Sequence, residues 1–146
     1  MGKEATKTVK KEDKNIKIKN GDLFTLYTIL NKLKCNQLKK ESMVKYIPLR
    51  VKLKGIFDQY EKIRTEASDQ TKPDGFDDMT ESQKNSALIE WESKITPILS
   101  KWFGSDLEKP IDTKIFSMDE LVDFFNSNPD LVGDQMDVIT THLLKD

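Results

Sequence analysis

The sequence predicts a mainly α fold: a single domain of four to five helices with a minor two-stranded β element. Three observations carry this expectation. Apolar residues recur at three- and four-residue steps in successive segments. Thr80 with Gln83, and Ser117 with Glu120, form capping boxes at the heads of two such segments. The runs that alternate in the manner of strands are few and short. The length of 146 residues suits one domain, and a chain of this size buries about 68–70% of its unfolded surface without needing staples.

Ile16 and Ile18 alternate with Lys17 and Lys19 before Asn20-Gly21, which reads as a short edge strand with its lysines in water. Asp22 is the expected N-cap of a helix over 23–35, whose apolar stripe is Leu23, Leu26, Tyr27, Leu30 and Leu33. Cys35 closes it on the apolar side as a structural thiol. A second helix is expected over 41–67, with Met43, Tyr46, Ile47, Phe57, Tyr60, Ile63 and Ala67 inward and a kink at Pro48. Residues 49–54 also alternate like a strand; helix is preferred because the stripe resumes beyond Gly55. An acidic loop at 68–79 follows, rich in Asp, Pro and Gly.

The third helix starts at the Thr80–Gln83 box. Leu88, Trp91, Ile95, Ile98 and Trp102 step by three and four, Pro97 interrupts, and Gly104 is the expected stop. Trp91 and Trp102 fall on one helical face, so they read as core, or as an interface anchor where one is exposed. Ile111 to Phe116 is the candidate second strand, to pair with Ile16–Ile18. A short helix with Leu121, Phe124 and Phe125 inward ends at Asn128-Pro129. A last helix carries Val132, Met136, Ile139 and Leu143.

The net charge of −1 conceals a strong polarity. Residues 1–64 hold 17 Lys and Arg against 7 Asp and Glu, and residues 65–146 hold 7 against 18. The simpler reading is a fold whose halves attract. The other readings are a charged partner for one half, or copies associating head to tail. The cations are almost all Lys, with only Arg50 and Arg64 as arginines, whereas nucleic-acid readers and bidentate anion sites favour Arg.

The chemistry-bearing residues are sparse. Cys35 and His142 are the only cysteine and histidine, which excludes intramolecular disulfides, Cys-based zinc and His-clustered metal sites. Gly75 and Glu81 fall where a calcium loop starting at Gln70 would need them, but Lys72 would set a cation at a ligand position. Asp119, Glu120 and Asp123, with Asp134 and Asp137 further on, are explained by helix-start electrostatics. There is no phosphate-cradling glycine loop. Gly2 formally fits a myristoylation pattern, but Lys3 directly after it departs from known substrates. The expectation is therefore no enzyme, no catalytic residue, no metal and no cofactor. No apolar run reaches the length of a membrane span, and the N-terminus lacks a signal-type apolar region. The expected location is neither a membrane nor the secretory route.

The run Ile16-Lys17-Ile18-Lys19-Asn20-Gly21-Asp22-Leu23, followed by Leu26, Leu30 and Leu33, resembles the opening of small uncharacterised proteins encoded by tailed bacteriophages. The likeness is in the order of elements over about residues 16–125. It implies a phage origin, a location in the virion or the host cytoplasm, and a structural or assembly role acting through protein–protein contacts, and it carries over no functional residues. The alternative is a small cytoplasmic binding protein, either an inhibitor of a host factor or a weak nucleic-acid binder. The expected partners are other subunits of an assembly, including a second copy head to tail. Nucleic acid is not favoured, since the basic stretch continued by Lys39 and Lys40 has no aromatics interleaved for base stacking.

Residues 1–14 read as a basic flexible arm ahead of a domain at 15–146. Lys3, Lys7, Lys10, Lys11 and Lys14 outnumber Glu4, Glu12 and Asp13, so the arm suits an acidic target. It has too little apolar area to offset about 1–2 kcal/mol of backbone entropy per fixed residue. Removing residues 1–14 is expected to weaken assembly and leave the melting temperature of the domain nearly unchanged. Strong amide protection across residues 3–14 in the dilute monomer would contradict this.

Overall fold

A computed structural model describes residues 18–146. The helices are α1 (Asn20–Leu30), α2 (Lys40–Thr71), α3 (Glu81–Phe103), α4 (Met118–Ser127) and α5 (Gly133–Leu143), with a 3₁₀ turn at Phe76–Asp78 between α2 and α3. The chain is mainly helical, as expected. The basic arm at 1–14, with Lys3, Lys7, Lys10, Lys11 and Lys14, lies outside the described residues, as do Ile16 and Lys17.

The spine is α2, whose 32 residues extend about 48 Å at 1.5 Å per residue. Its N-terminal half buries Tyr46, Leu49 and Leu53 in the main core, against Leu23, Leu26 and Leu30 of α1, Leu121 and Phe124 of α4, and Ile139 and Leu143 of α5. Its C-terminal half packs Ala67 against Ile95 and Leu99 of α3 in a second, smaller cluster. An aromatic seam of Phe24, Phe57, Tyr60, Trp102 and Phe103 lies where α1, α2 and α3 meet. Helix wins at 49–54 because it sends Leu49 and Leu53 inward together; alternation would have buried Val51, which is 67% exposed.

The first helix differs from expectation at both ends. Its N-cap is Lys19, and Asp22 is the third helical residue, its carboxylate accepting the Lys19 N–H at 3.3 Å. Tertiary bonds fix this earlier start. The Asn20 N–H donates to the Ser105 carbonyl at 2.9 Å, and the buried Asn20 amide donates to the Trp102 carbonyl at 3.1 Å. Gly21 permits the approach: a Cβ there would stand 3.0 Å from the Phe103 carbonyl oxygen. The helix ends at Leu30, not at 35, because α4 captures the following backbone. The Asn128 side chain accepts the Lys34 N–H at 2.7 Å and donates to its carbonyl at 2.8 Å, while Ser127 Oγ accepts the Gln37 N–H at 2.9 Å. Leu33, Cys35 and Leu38 then reach the core from a loop.

Among the described residues there is no strand, only isolated bridges of Lys19 with Asp106 and of Phe116 with Leu144. The segment expected to pair with Ile16–Ile18 turns elsewhere. The Phe116 N–H donates to the Leu143 carbonyl, and its carbonyl accepts the Lys145 N–H at 2.9 Å. Burying Phe116 completely beside Phe124 sets this pairing, because it draws the end of α5 alongside. Ile18 instead meets the chain after α3, its carbonyl accepting the Leu107 N–H.

The acidic loop begins at Lys72, four residues later than expected, since α2 runs on to Thr71. Gly75 turns it with φ of +69°, a value that disfavours side chains. Phe76 fastens it by packing edge-on against Trp91. Both expected capping boxes form, at Thr80–Gln83 and Ser117–Glu120. Gly104 stops α3 with a right-handed φ of −81°, without the left-handed cap a glycine permits.

The tryptophan face is covered only in part. Ala87, Ile95, Leu99 and Trp102 are buried, whereas Leu88 and Ile98 are 42% and 37% exposed. Trp91 is half-buried, its indole N–H donating to the Ser68 carbonyl at 3.0 Å. Trp102→Ala is therefore expected to cost roughly 3–5 kcal/mol and Trp91→Ala less than half of that. Chemical denaturation of the two variants checks the order.

Candidate functional site

The largest departure from a core-inside, polar-outside pattern is on α2. Val44, Ile47 and Val51 are 63%, 55% and 67% exposed, and Pro48 between them is exposed as well. Their i, i+3, i+4, i+7 spacing places all four within about 100° of arc. The stripe lies opposite Tyr46, Leu49 and Leu53, so α2 is apolar on two faces, and only one of them is covered by the described residues. Pro48 has no N–H to give to the Val44 carbonyl four residues back, which leaves a backbone acceptor inside the stripe.

The surroundings are cationic. Residues 39–54 carry Lys39, Lys40, Lys45, Arg50, Lys52 and Lys54 against Glu41 alone. All except Lys45 are exposed. Beside the stripe runs a groove of about 420 Å³, lined by Tyr27, Asn31, Cys35, Met43, Ile47 and Arg50 among others. Burial raises the Cys35 thiol above its ordinary value, against the neighbouring Tyr46 hydroxyl and the charge of Arg50, so it is a thiol rather than a thiolate near neutral pH. Burial also pushes the Tyr46 phenol up to about 12, and its hydroxyl donates to the Leu30 carbonyl at 2.8 Å.

Of the residues singled out from sequence, Trp91 and Trp102 belong to the α2–α3 packing rather than to an open surface. Ile47, expected in the core, is on the exposed stripe. Val44 was not singled out, Pro48 entered only as a kink and Val51 only in the strand-like alternation at 49–54, although their shared spacing was readable. One helix carrying two apolar stripes reads from sequence as a single wide one.

The acidic cluster resolves into a fastening. The Glu120 carboxylate caps α4 through the Ser117 N–H at 3.0 Å, accepts the Ser42 hydroxyl at 3.0 Å, and pairs with the Lys45 ammonium at 2.8 Å. Partial burial alone would raise its pKa. The hydrogen bonds from Lys45, the Ser117 backbone and Ser42, with the Lys45 charge, outweigh this and hold it down at about 2. Among the described residues, no group of three or more His, Cys, Asp and Glu is placed to hold a metal. Nor is any helix there long and apolar enough to cross a membrane. His142 on α5 is half-buried, and burial lowers its imidazole against the charge of Asp22.

Comparison of the chain with protein-family models, with curated proteins and with solved structures finds no match.

The Glu120 fastening has a pH signature. A carboxyl held below its unfolded value stabilises the fold fully above the unfolded pKa, and that contribution is lost as pH falls through the folded one. Here the window runs from the ordinary value of 4.5 down to about 2. Glu120→Gln keeps the helix cap but removes the charge. It is expected to lower stability at neutral pH by roughly 2 kcal/mol and to flatten the acid limb across that window. Denaturation midpoints measured from neutral pH to strong acid check both effects.

Proposed function

We propose that this chain is a non-enzymatic structural or assembly protein that works through protein–protein contacts, as a component of a tailed-phage virion. The observation that carries the contact reading is the exposed stripe of Val44, Ile47, Pro48 and Val51 on α2. Soluble proteins seldom align apolar side chains on the outer face of a helix unless something covers them. The cations around the stripe select an acidic occupant and raise the rate at which it arrives. The likeness in element order to small phage proteins supports the virion setting. In this reading the α2 face and the basic arm, with Lys3, Lys7, Lys10, Lys11 and Lys14, both engage acidic protein surfaces, and the folded body sets their spacing.

The test is made in the native source. The full chain is expected to sediment with particles. Ile47→Glu with Val51→Glu is expected to reduce that association at least tenfold while leaving the helical circular-dichroism signal unchanged. Undiminished association of the double variant would remove α2 from the reading, and a chain found only in the particle-free fraction would remove the virion role.

A further inference from the structure

The occupant of the α2 stripe can be argued from the rest of the molecule, on the premise that the stripe is a contact surface. The far end of the body carries a second exposed apolar pair, Leu88 and Ile89 on α3, 42% and 75% exposed. Glu81, Asn85 and Glu92 are exposed on the same side of the helix. The stretch 66–92 around them holds eight acidic residues against Lys72 and Lys84. The molecule thus presents one apolar face with a basic surround and one with an acidic surround.

The two faces cannot meet within one chain. Trp91 bonds to Ser68 and Glu92 pairs with Arg64, so Leu88 stands level with the last turns of α2. The stripe centres near Ile47, about 20 residues earlier on the same helix, or roughly 30 Å at 1.5 Å per residue. That is several times the screening length of about 8–10 Å at physiological salt. The ion pairs joining the basic and acidic halves, Lys19–Asp106, Lys45–Glu120 and Arg64–Glu92, involve none of the stripe's exposed cations Arg50, Lys52 and Lys54. A symmetric contact is disfavoured too, since stripe on stripe or acidic end on acidic end brings like charges together.

We propose that the α2 stripe of one copy receives the Leu88–Ile89 face of a second copy, giving a head-to-tail contact. Such a contact does not close on itself, so successive copies add in one direction as a row or a ring.

Sedimentation velocity on the full chain tests this. At about 30 mM salt the protein is expected to run heavier than its 16.9 kDa monomer, and at about 500 mM to return to monomer. Two variants each block one face: Ile47→Glu with Val51→Glu, and Leu88→Lys with Ile89→Lys. Each alone is expected to be monomeric, and an equimolar mixture is expected to double in mass and stop there, because only one face of each remains. Zero-length carbodiimide cross-linking of the wild type is independent of variant folding. It is expected to join Lys52 or Lys54 to Asp74, Asp77, Asp78 or Glu81, links that the separation along α2 forbids within one chain. A wild-type chain that is monomeric at low salt, or self-association by either blocked variant alone, overturns the proposal. A mixture that fails to dimerise, or the absence of those cross-links, overturns it equally. If the wild type is monomeric while the α2 variant still loses its association with native particles, self-pairing fails and the contact reading of α2 stands.

Discussion

The structure depends on α2 remaining a single helix across two hydrophobic clusters. Its first half closes the main core against α1, α4 and α5, and its second half carries Ala67 into the cluster with Ile95 and Leu99. Pro48 is the local threat to this continuity, since a proline inside a helix removes one hydrogen bond and crowds the preceding turn. It is tolerated because it sits on the solvent side, where its ring disturbs no packed layer. Tyr46, Leu49 and Leu53 around it are buried at 4%, 3% and 0% exposure. The burial of these neighbours holds the helix together through the residue that would otherwise break it.

The smaller helices are fastened to this spine by polar contacts at their ends as much as by apolar ones. Glu120 ties the start of α4 to Ser42 and Lys45 in the first turns of α2. Ser127 and Asn128 tie its end to the backbone of the loop leading into α2. A ten-residue helix gripped at both ends presents Leu121 and Phe124 to the core in one register. Phe116, stacked edge-on with Phe124 and bonded through its backbone to the end of α5, extends the same order to the last residues.

The charge asymmetry is used in two ways. Lys19–Asp106, Lys45–Glu120 and Arg64–Glu92 join the basic half to the acidic half within the fold. The surplus stands at opposite ends of α2, each beside exposed apolar side chains. Length along α2 separates the two surpluses by several screening lengths, so they do not neutralise each other within one chain.

By itself the sequence determined the helical class, the positions of four of the five helices to within a few residues, and both capping boxes. These rest on local physics: three-and-four periodicity and side chains that bond their own helix ends. What only the tertiary structure decided rests on groups distant in the chain. Asn128 unwinds the end of α1, Ser105 and Trp102 set its start, and Phe116 pairs with the chain's end instead of with the lysine-rich run near its beginning. The packing of α2 on α3 decided which residues of α3 are covered: Ala87, Ile95, Leu99 and Trp102, and not Leu88 or Ile98. It also decides which of the two apolar stripes on α2 is core. Periodicity states that Ile47 and Val51 share a face with Val44, but only packing shows that none of the described residues covers it.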